Sequence, residues 1–188
     1  MIEKYSIKIP QNNIILYCEK KKIITIIGPL AKKTFKLKLK LKLIETKKII
    51  IITSIPFDKL SNNNKKKIKA LQGAVYANIK QLIIETSSIL FQKLKLVGVG
   101  YRIFDVQGFE NNLLMFKLGY SHPIFFKIPK KLNMFCLKLT KLFVYGDSYQ
   151  KITKTTALIQ SYKQPDPYKG KGILYENEKI ILKEGKKI

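Results

Sequence analysis

Arginine and acidic residues are scarce in this sequence, and tryptophan is absent. Only Arg102 is an arginine, and 12 acidic residues stand against 37 basic ones, which gives the 188 residues a formal net charge of +25. Such a charge attracts polyanions: RNA, DNA or an anionic membrane surface. Because nearly all of it is lysine, a compact hydrated cation, we expect phosphate neutralisation more than bidentate base recognition.

Part of the lysine excess has a second explanation. The abundance of lysine, isoleucine and asparagine is typical of AT-rich genomes, which include those of mitochondria, plastids and some bacteria. Codon bias of this kind does not explain why aspartate and glutamate are so few.

Cysteine and histidine are also too few for a structural zinc site, since the chain has two cysteines and one histidine. Cys18 and Cys136 each lie among apolar neighbours, which favours buried thiols over a disulfide or a ligand role. The longest apolar runs, such as residues 49–52, are too short to span a bilayer. The start, MIEKYSIKIP, lacks the features of a secretory signal or a transit peptide. We therefore expect no metal, no cofactor and no membrane span.

The first half of the chain predicts strands followed by a helix. The alternation from Phe35 to Leu43 predicts one strand with leucines on one face and solvated lysines on the other, a reading we favour over a dedicated RNA surface. Residues 23–27 and 49–55 are β-branched runs, and Gly28-Pro29 is a turn signal. Apolar residues at spacings of three and four then predict a helix over about 64–88, capped by Ser61. Several lysines crowd its first turns, which is unfavourable unless an anion lies nearby.

The second half repeats this order. Residues 94–99, 113–118, 124–128 and 137–145 read as strands, separated by glycines and prolines. A second helical stripe contains Tyr149, Ile152, Thr156, Ile159 and Tyr162, and residues 173–183 read as a closing strand or hairpin. Two α+β domains, residues 1–90 and 91–188, fit this order best.

Motifs for catalysis are not evident. Gly98-Val99-Gly100 follows a strand, but Ile103 stands where a dinucleotide fingerprint requires its third glycine. Ser121 and His122 are adjacent and lack a third group, so a turn histidine is the better interpretation than a nucleophile and its base. The acidic residues show no pairing typical of acid–base chemistry. We therefore expect neither an enzyme nor a small-molecule substrate.

The most unusual segment is the loop Pro165-Asp166-Pro167-Tyr168-Lys169-Gly170-Lys171-Gly172. Its prolines stiffen the backbone, and its glycines allow close approach to a bulky partner. Its lysines supply charge, and Tyr168 can stack on a base or ribose. RNA contact is therefore favoured over an ordinary surface turn.

Three segments together resemble the signatures of the bacterial-type ribosomal protein L6 family of the large subunit. They are Leu96-Val97-Gly98-Val99-Gly100-Tyr101-Arg102, Leu118-Gly119-Tyr120-Ser121-His122-Pro123, and the loop from Pro165 to Gly172, in the family's order and spacing. The resemblance covers residues 91–187 well and the N-terminal half in pattern only.

The resemblance implies two related α+β domains, each an antiparallel sheet packed against one helix, with structural work and no catalysis. It implies binding to large-subunit rRNA, mainly through the C-terminal domain, near the sarcin–ricin loop and the stalk base, with neighbouring ribosomal proteins as further partners. Carried over to this chain, the principal RNA contacts are Lys163, Tyr168, Lys169, Gly170, Lys171 and Gly172. Second choices are Tyr101, Arg102, Ser121 and His122.

The chain departs from the family at two arginine positions, where it has Ser161 and Leu174. The Ser-His-Pro form of the second segment, the AT-biased composition and the missing presequence resemble a mitochondrion-encoded copy, with a plastid or an AT-rich bacterium as the alternative. The competing functions are a basic protein of the membrane surface, a non-ribosomal RNA-binding module, and a nucleic-acid enzyme such as a nuclease, for which no clustered carboxylates or nucleophile–base pair are visible.

Overall fold

The computed structural model describes residues 5–44, 46, 48–57, 65–106 and 113–185. The chain divides into two compact units, one reaching to Ser88 and the other beginning at Ile89. Each unit contains one helix and its own antiparallel strands, which confirms the predicted α+β class with two sheet–helix domains.

The first unit packs two small sheets against one helix. Its strands are β1 (Ser6–Lys8), β2 (Ile14–Cys18), β3 (Ile23–Ile27), β4 (Lys32–Lys36), β5 (Leu39–Ile44) and β6 (Ile49–Pro56), and its helix is α1 (Lys65–Ser87). The antiparallel sheets have the orders β2-β3-β4 and β1-β6-β5. The β-branched residues alternate inward, so that Ile24, Ile26 and Ile50 are fully buried with Ile79 of α1. The helix prediction is confirmed, while its proposed cap, Ser61, lies outside the described residues.

The alternation from Phe35 to Leu43 was predicted as one strand, and this was wrong. Leu37, Leu39 and Leu41 are buried and Lys36, Lys38 and Lys42 are exposed, as the alternation predicts. However, β4 ends at Lys36 and β5 starts at Leu39, and the two strands belong to different sheets. Between them the amide of Leu37 donates to the carbonyl of Lys22 (2.7 Å). The chain therefore crosses from one sheet to the other while its leucines stay in a shared core.

The second unit has the same succession of elements. Its strands are β7 (Leu90–Val97), β8 (Arg102–Val106), β9 (Leu113–Lys117), β10 (Ile124–Lys127), β11 (Leu132–Lys138), β12 (Lys141–Gly146) and β13 (Gly172–Tyr175), and its helix is α2 (Tyr149–Ser161). The sheets have the orders β10-β9-β8 and β11-β12-β7-β13. In both units an opening strand precedes a three-stranded meander and a hairpin, and the second hairpin strand pairs with the opening strand. The second unit adds β13 on the other side of β7.

Three sequence predictions for this unit need correction. Residues 137–145 form no single strand, because a turn at Leu139 and Thr140 separates β11 from β12. Strand β8 was not predicted. The closing strand ends at Tyr175, well short of residue 183. The helical stripe is confirmed at its centre, where Ile152, Thr156 and Ile159 are buried.

The prediction that both cysteines are buried was also wrong. Cys18 is exposed, because the alternation of β2 turns it outward, and Cys136 is half-buried; both are free thiols. The Cys136 thiol donates to Oδ1 of Asp105 (3.2 Å), and burial, with this carboxylate, raises its pKa to about 12. Cys136 is therefore protonated, and hence a poor nucleophile, at neutral pH.

Candidate nucleic-acid interface

The loop between α2 and β13 is organised by one carboxylate. Oδ1 of Asp166 accepts a hydrogen bond from the amide of Tyr168 (3.2 Å), and Oδ2 accepts one from the amide of Lys169 (3.2 Å). The Asp166 carbonyl accepts from the amide of Gly170 (2.8 Å), and its own amide donates to the carbonyl of Lys171 (2.9 Å). These four bonds close a tight turn around Asp166 and satisfy the amides of residues 166, 168, 169 and 170 within the loop.

The two glycines of this loop have different reasons to be glycine. Gly170 has φ = +66°, a conformation that side-chain-bearing residues rarely adopt. Gly172 has φ = +156°, and a Cβ there would lie 2.6 Å from Cα of Pro165. This close approach to Pro165 brings the two ends of the loop together. Gly172 itself is buried, so its contribution is to the shape of the loop.

The side chains between these fixed points are turned to solvent. Tyr168 is 57% exposed, and Lys169 and Lys171 are also exposed. The amide of Lys183 donates to the carbonyl of Pro167 (2.9 Å), so the C-terminal segment borders the loop. An exposed ring followed by two exposed lysines on a constrained backbone suits a partner that offers both phosphates and flat bases.

The turn from Gly119 to Pro123 lies beside this loop. The hydroxyl of Tyr120 donates to the carbonyl of Tyr162 at the end of α2 (3.0 Å). Nζ of Lys163 lies 4.4 Å from the centre of the Tyr120 ring, within the range of a cation–π contact. The His122 ring lies nearly parallel to that of Tyr120, 6.3 Å from it. Tyr120 thus joins the second predicted segment to Tyr162 and Lys163, which directly precede the third.

The first predicted segment, which includes the buried Tyr101, contacts both the turn and the loop. Tyr101 is 9% exposed, and its ring packs against Gly98 and Gly119, where a Cβ would lie 2.9 Å and 3.2 Å from ring atoms. Val97, at the end of β7, pairs with Gly172 at the start of β13. All three segments therefore meet at one end of the second unit, although the first and the third are far apart in sequence.

The structure sorts the predicted contact residues into three groups. Exposed residues on the loop and the neighbouring turn are Tyr168, Lys169, Lys171, Ser121 and His122; Lys163 is half-buried. The backbone-shaping residues are Gly170, Gly172 and the buried Tyr101. Arg102 is exposed at the start of β8, opposite Lys117.

Tyr120 was missed as a candidate by sequence reasoning. It stands inside the second segment and is 45% exposed. An aromatic residue between a glycine and two polar residues in a turn was the available signal. Its hydrogen-bond partner Tyr162 is 42 residues away and Lys163 is next to that partner, so the sequence could not show the contact.

Ser161 and Leu174, the two positions at which the resemblance implies arginine, differ in their surroundings. Ser161 is exposed at the last residue of α2, where its hydroxyl donates to the carbonyl of Leu158 (2.7 Å). Leu174 is 3% exposed inside β13, opposite Lys95. The Ser161 side chain is therefore open to solvent, whereas the Leu174 side chain is packed in the interior.

Features of other classes of protein do not occur in the parts of the chain that the structure describes. Within these parts no three His, Cys, Asp or Glu side chains are grouped as metal ligands would be. Neither described helix is long and apolar enough to cross a membrane.

Comparison with known proteins shows similarity to one family over the three converging segments and beyond them. A family model described as Ribosomal protein L6 matches residues 97–176, which include nearly all of the three converging segments. The chain is 37% identical over 183 residues to the large ribosomal subunit protein uL6 of Mycoplasma genitalium, covering 96% of this chain and 93% of that protein. It is 39% identical over 168 residues to that of Mycoplasmoides gallisepticum, covering 88% and 86%. It is 44% identical over 124 residues to that of Malacoplasma penetrans, or 66% of each chain. The similarity spans both units, and the chain belongs to the ribosomal protein L6 family.

Proposed function

We propose that this chain is a structural constituent of the large ribosomal subunit and binds large-subunit rRNA through the end of its second unit. Membership in the family makes it a structural ribosomal protein and not an enzyme. The observation that supports the proposal is the convergence of the three segments, through the Val97–Gly172 pair, the packing of Tyr101 on Gly119 and the contact of Tyr120 with Lys163. The loop and turn that meet there carry the exposed side chains of Tyr168, Lys169, Lys171, Ser121 and His122. Arg102, next to Tyr101 in sequence, adds a further exposed cation, while Tyr101, Gly170 and Gly172 set the shape of the turn and the loop.

In the proposed interaction, the lysines provide affinity through charge, and the aromatic rings and the loop provide selectivity through shape. The lysines lie where they can neutralise phosphates, which fixes position and orientation without reading sequence. The exposed Tyr168 ring and the Tyr120–His122 pair offer faces on which bases or riboses can stack. Selectivity then comes from the shape of a folded RNA that fits the rigid loop.

We further propose that the RNA bound is the region near the sarcin–ricin loop and the base of the factor-binding stalk, with neighbouring ribosomal proteins close by. The test is chemical footprinting of large-subunit rRNA with the purified full chain. Protection confined to the sarcin–ricin and stalk-base region is the expected result. Protection elsewhere, or none that exceeds that given by an unrelated protein of equal charge, would contradict the site.

The mitochondrial ribosome is the location we propose. The near-complete use of lysine in place of arginine and the Ser-His-Pro sequence of residues 121–123 support it. The relatives named above are bacterial, so a bacterial or plastid ribosome is the alternative. Cell fractionation decides between them: the chain should sediment with large subunits from purified mitochondria, and recovery from cytoplasmic or plastid ribosomes would contradict the proposal.

A further inference from the structure

A cluster of four aromatic rings covers part of the four-stranded sheet of the second unit. Phe91 of β7, Phe143 and Tyr145 of β12 and Phe135 of β11 form this cluster, called the aromatic face below. Ring centres lie 5.3 Å apart for Phe91 and Phe143 and for Phe135 and Tyr145. The Phe135 and Phe143 rings are nearly parallel, with an interplanar angle of 6°. The rings therefore form a continuous apolar platform over three strands.

The aromatic face is not needed for the core of the unit. The alternate residues of the same strands, including Leu94, Leu142 and Val144, are buried beneath α2 on the other side of the sheet. Phe91 is 57% exposed and Phe135 is 49% exposed, while the other two rings are half-buried. Cross-strand pairing of rings stabilises a sheet, but it does not require this exposure. Exposed apolar patches of this kind commonly mark interaction sites.

A row of lysines borders the aromatic face on the same side of the sheet. Lys93 and Lys95 follow Phe91 at alternate positions of β7, and Lys141 stands directly opposite Lys95 on β12. One carboxylate, that of Glu176, faces them, with Oε2 at 3.3 Å from Nζ of Lys93 and Oε1 at 3.9 Å from Nζ of Lys141. Like charges opposite one another destabilise a strand pair. Two lysines in register with one carboxylate nearby leave a net positive row that suits a further anion.

We propose that the aromatic face is a second RNA-contact surface, on which unpaired bases stack while the lysine row holds the adjoining phosphates. The inference rests on the proposed function for its ligand, RNA, and adds a site that the three converging segments do not include. Rings beside cations on an open sheet are a general means of binding single-stranded nucleic acid. A purely apolar protein partner would add no counter-charge to the lysine row beyond that of Glu176, so RNA is the better complement.

The test compares variants of the full chain in binding a short unstructured RNA and a duplex of the same length, measured by fluorescence anisotropy across a salt series. Phe91→Thr combined with Phe135→Thr removes two stacking faces and keeps strand-forming residues. We expect about tenfold or greater loss of affinity for the single strand. The slope of log affinity against log salt should stay unchanged, since no charge is removed. Duplex binding should not change.

Two matched controls accompany this variant. Phe91→Tyr with Phe135→Tyr keeps both rings and should bind as the parent does. Phe125→Thr removes a ring that is 57% exposed on β10, outside the aromatic face, and should also bind normally. Circular dichroism verifies that each variant folds. Unchanged single-strand affinity in the folded double threonine variant, or equal loss with Phe125→Thr, overturns the inference.

The source of the ligand is tested in assembled large subunits. A photo-crosslinking residue at position 135 should capture rRNA, and capture of a ribosomal protein instead overturns the RNA assignment. A parallel measurement with Lys169→Ala and Lys171→Ala separates the two proposals. If only the lysine variant is impaired, the aromatic face fails and the proposed function stands. If both variants bind rRNA as the parent does, both fail.

Discussion

Asp166 holds the loop from Pro165 to Gly172 through its carboxylate and its backbone, which makes it a sensitive test of the loop's role. Asp166→Asn removes one negative charge and so raises the net positive charge by one. On charge alone, the substitution should strengthen RNA binding. The asparagine side chain has only one oxygen, whereas both carboxylate oxygens of Asp166 accept hydrogen bonds from the amides of Tyr168 and Lys169. One of these two hydrogen bonds is therefore lost. We expect binding of the sarcin–ricin region to weaken severalfold despite the added charge, as measured by anisotropy at fixed salt.

The matched control for this change is Glu184→Gln. Glu184 is exposed, and Glu184→Gln raises the net charge by the same amount as Asp166→Asn. The Glu184 side chain, however, has no described bond to the loop. It should leave affinity unchanged or slightly raised. Equal effects of the two substitutions would mean that the loop's shape does not matter for binding.

Lys169 and Lys171 carry the charge of the loop, and their removal should act through counterion release. Replacing both with alanine should lower rRNA affinity and reduce the log–log salt slope by about 0.7 to 0.9 for each phosphate that is no longer neutralised. Lys127→Ala with Lys130→Ala is the matched control, because both are exposed lysines of the same unit outside the loop. Equal flattening in both variants would show that only total charge matters.

Two glycines of the first unit, one within helix α1 and one packed against it, should respond in opposite ways to replacement by alanine. Gly73 lies within α1, and a Cβ there would meet nothing within 4 Å. Gly73→Ala should therefore raise the free energy of unfolding by about 0.5–1 kcal/mol, since alanine loses less backbone entropy in a helix. Denaturant unfolding followed by circular dichroism measures this.

Gly28 supplies the contrast. A Cβ at Gly28 would lie 2.4 Å from the carbonyl oxygen of Thr86 near the end of α1, so Gly28→Ala should destabilise the unit by about 1–3 kcal/mol. A neutral Gly28→Ala, or a destabilising Gly73→Ala, would show that the packing around α1 differs from that described. The same contact explains why the turn after β3 begins with glycine.

The elements also show how much sequence patterns can predict. Period two placed Leu37, Leu39 and Leu41 inside, because burial depends on which side of the backbone each residue takes. It could not show that the strand breaks at Leu37, since a chain passing between two sheets around one core keeps the same alternation. Strand β8 was missed because it follows two glycines closely and has only Ile103 fully buried.

The candidate site was predictable in part for a related reason. The loop could be found locally, since its prolines, glycines and lysines are adjacent in sequence. Its neighbours could not, because the contacts of Tyr120 with Lys163 and of Tyr101 with Gly98 and Gly119 depend on how β7, β9 and α2 pack. The family resemblance grouped these segments, and the fold supplies the physical reason that they lie together.

At the scale of the whole molecule, each unit has its own core and the same succession of strands and helix, and only the second adds β13 and the loop before it. We therefore expect residues 89–188, expressed alone, to fold cooperatively and to bind the sarcin–ricin region within about tenfold of the full chain's affinity. Residues 1–88 should bind RNA weakly and release it to any competing polyanion, because their lysines attract charge without a shaped site.

Thermal unfolding and anisotropy on the separate units, each with heparin and with rRNA of scrambled sequence as competitors, measure these differences. The competitors should displace RNA from residues 1–88 readily, and scrambled rRNA should displace it poorly from residues 89–188, because a rigid loop selects the shape of its ligand. Retention of specific binding by residues 1–88, or its loss from a folded 89–188, would assign recognition to the first unit. The repeated topology would then be a repeated function, whereas the position of β13 and its loop argues that recognition belongs to the second unit alone.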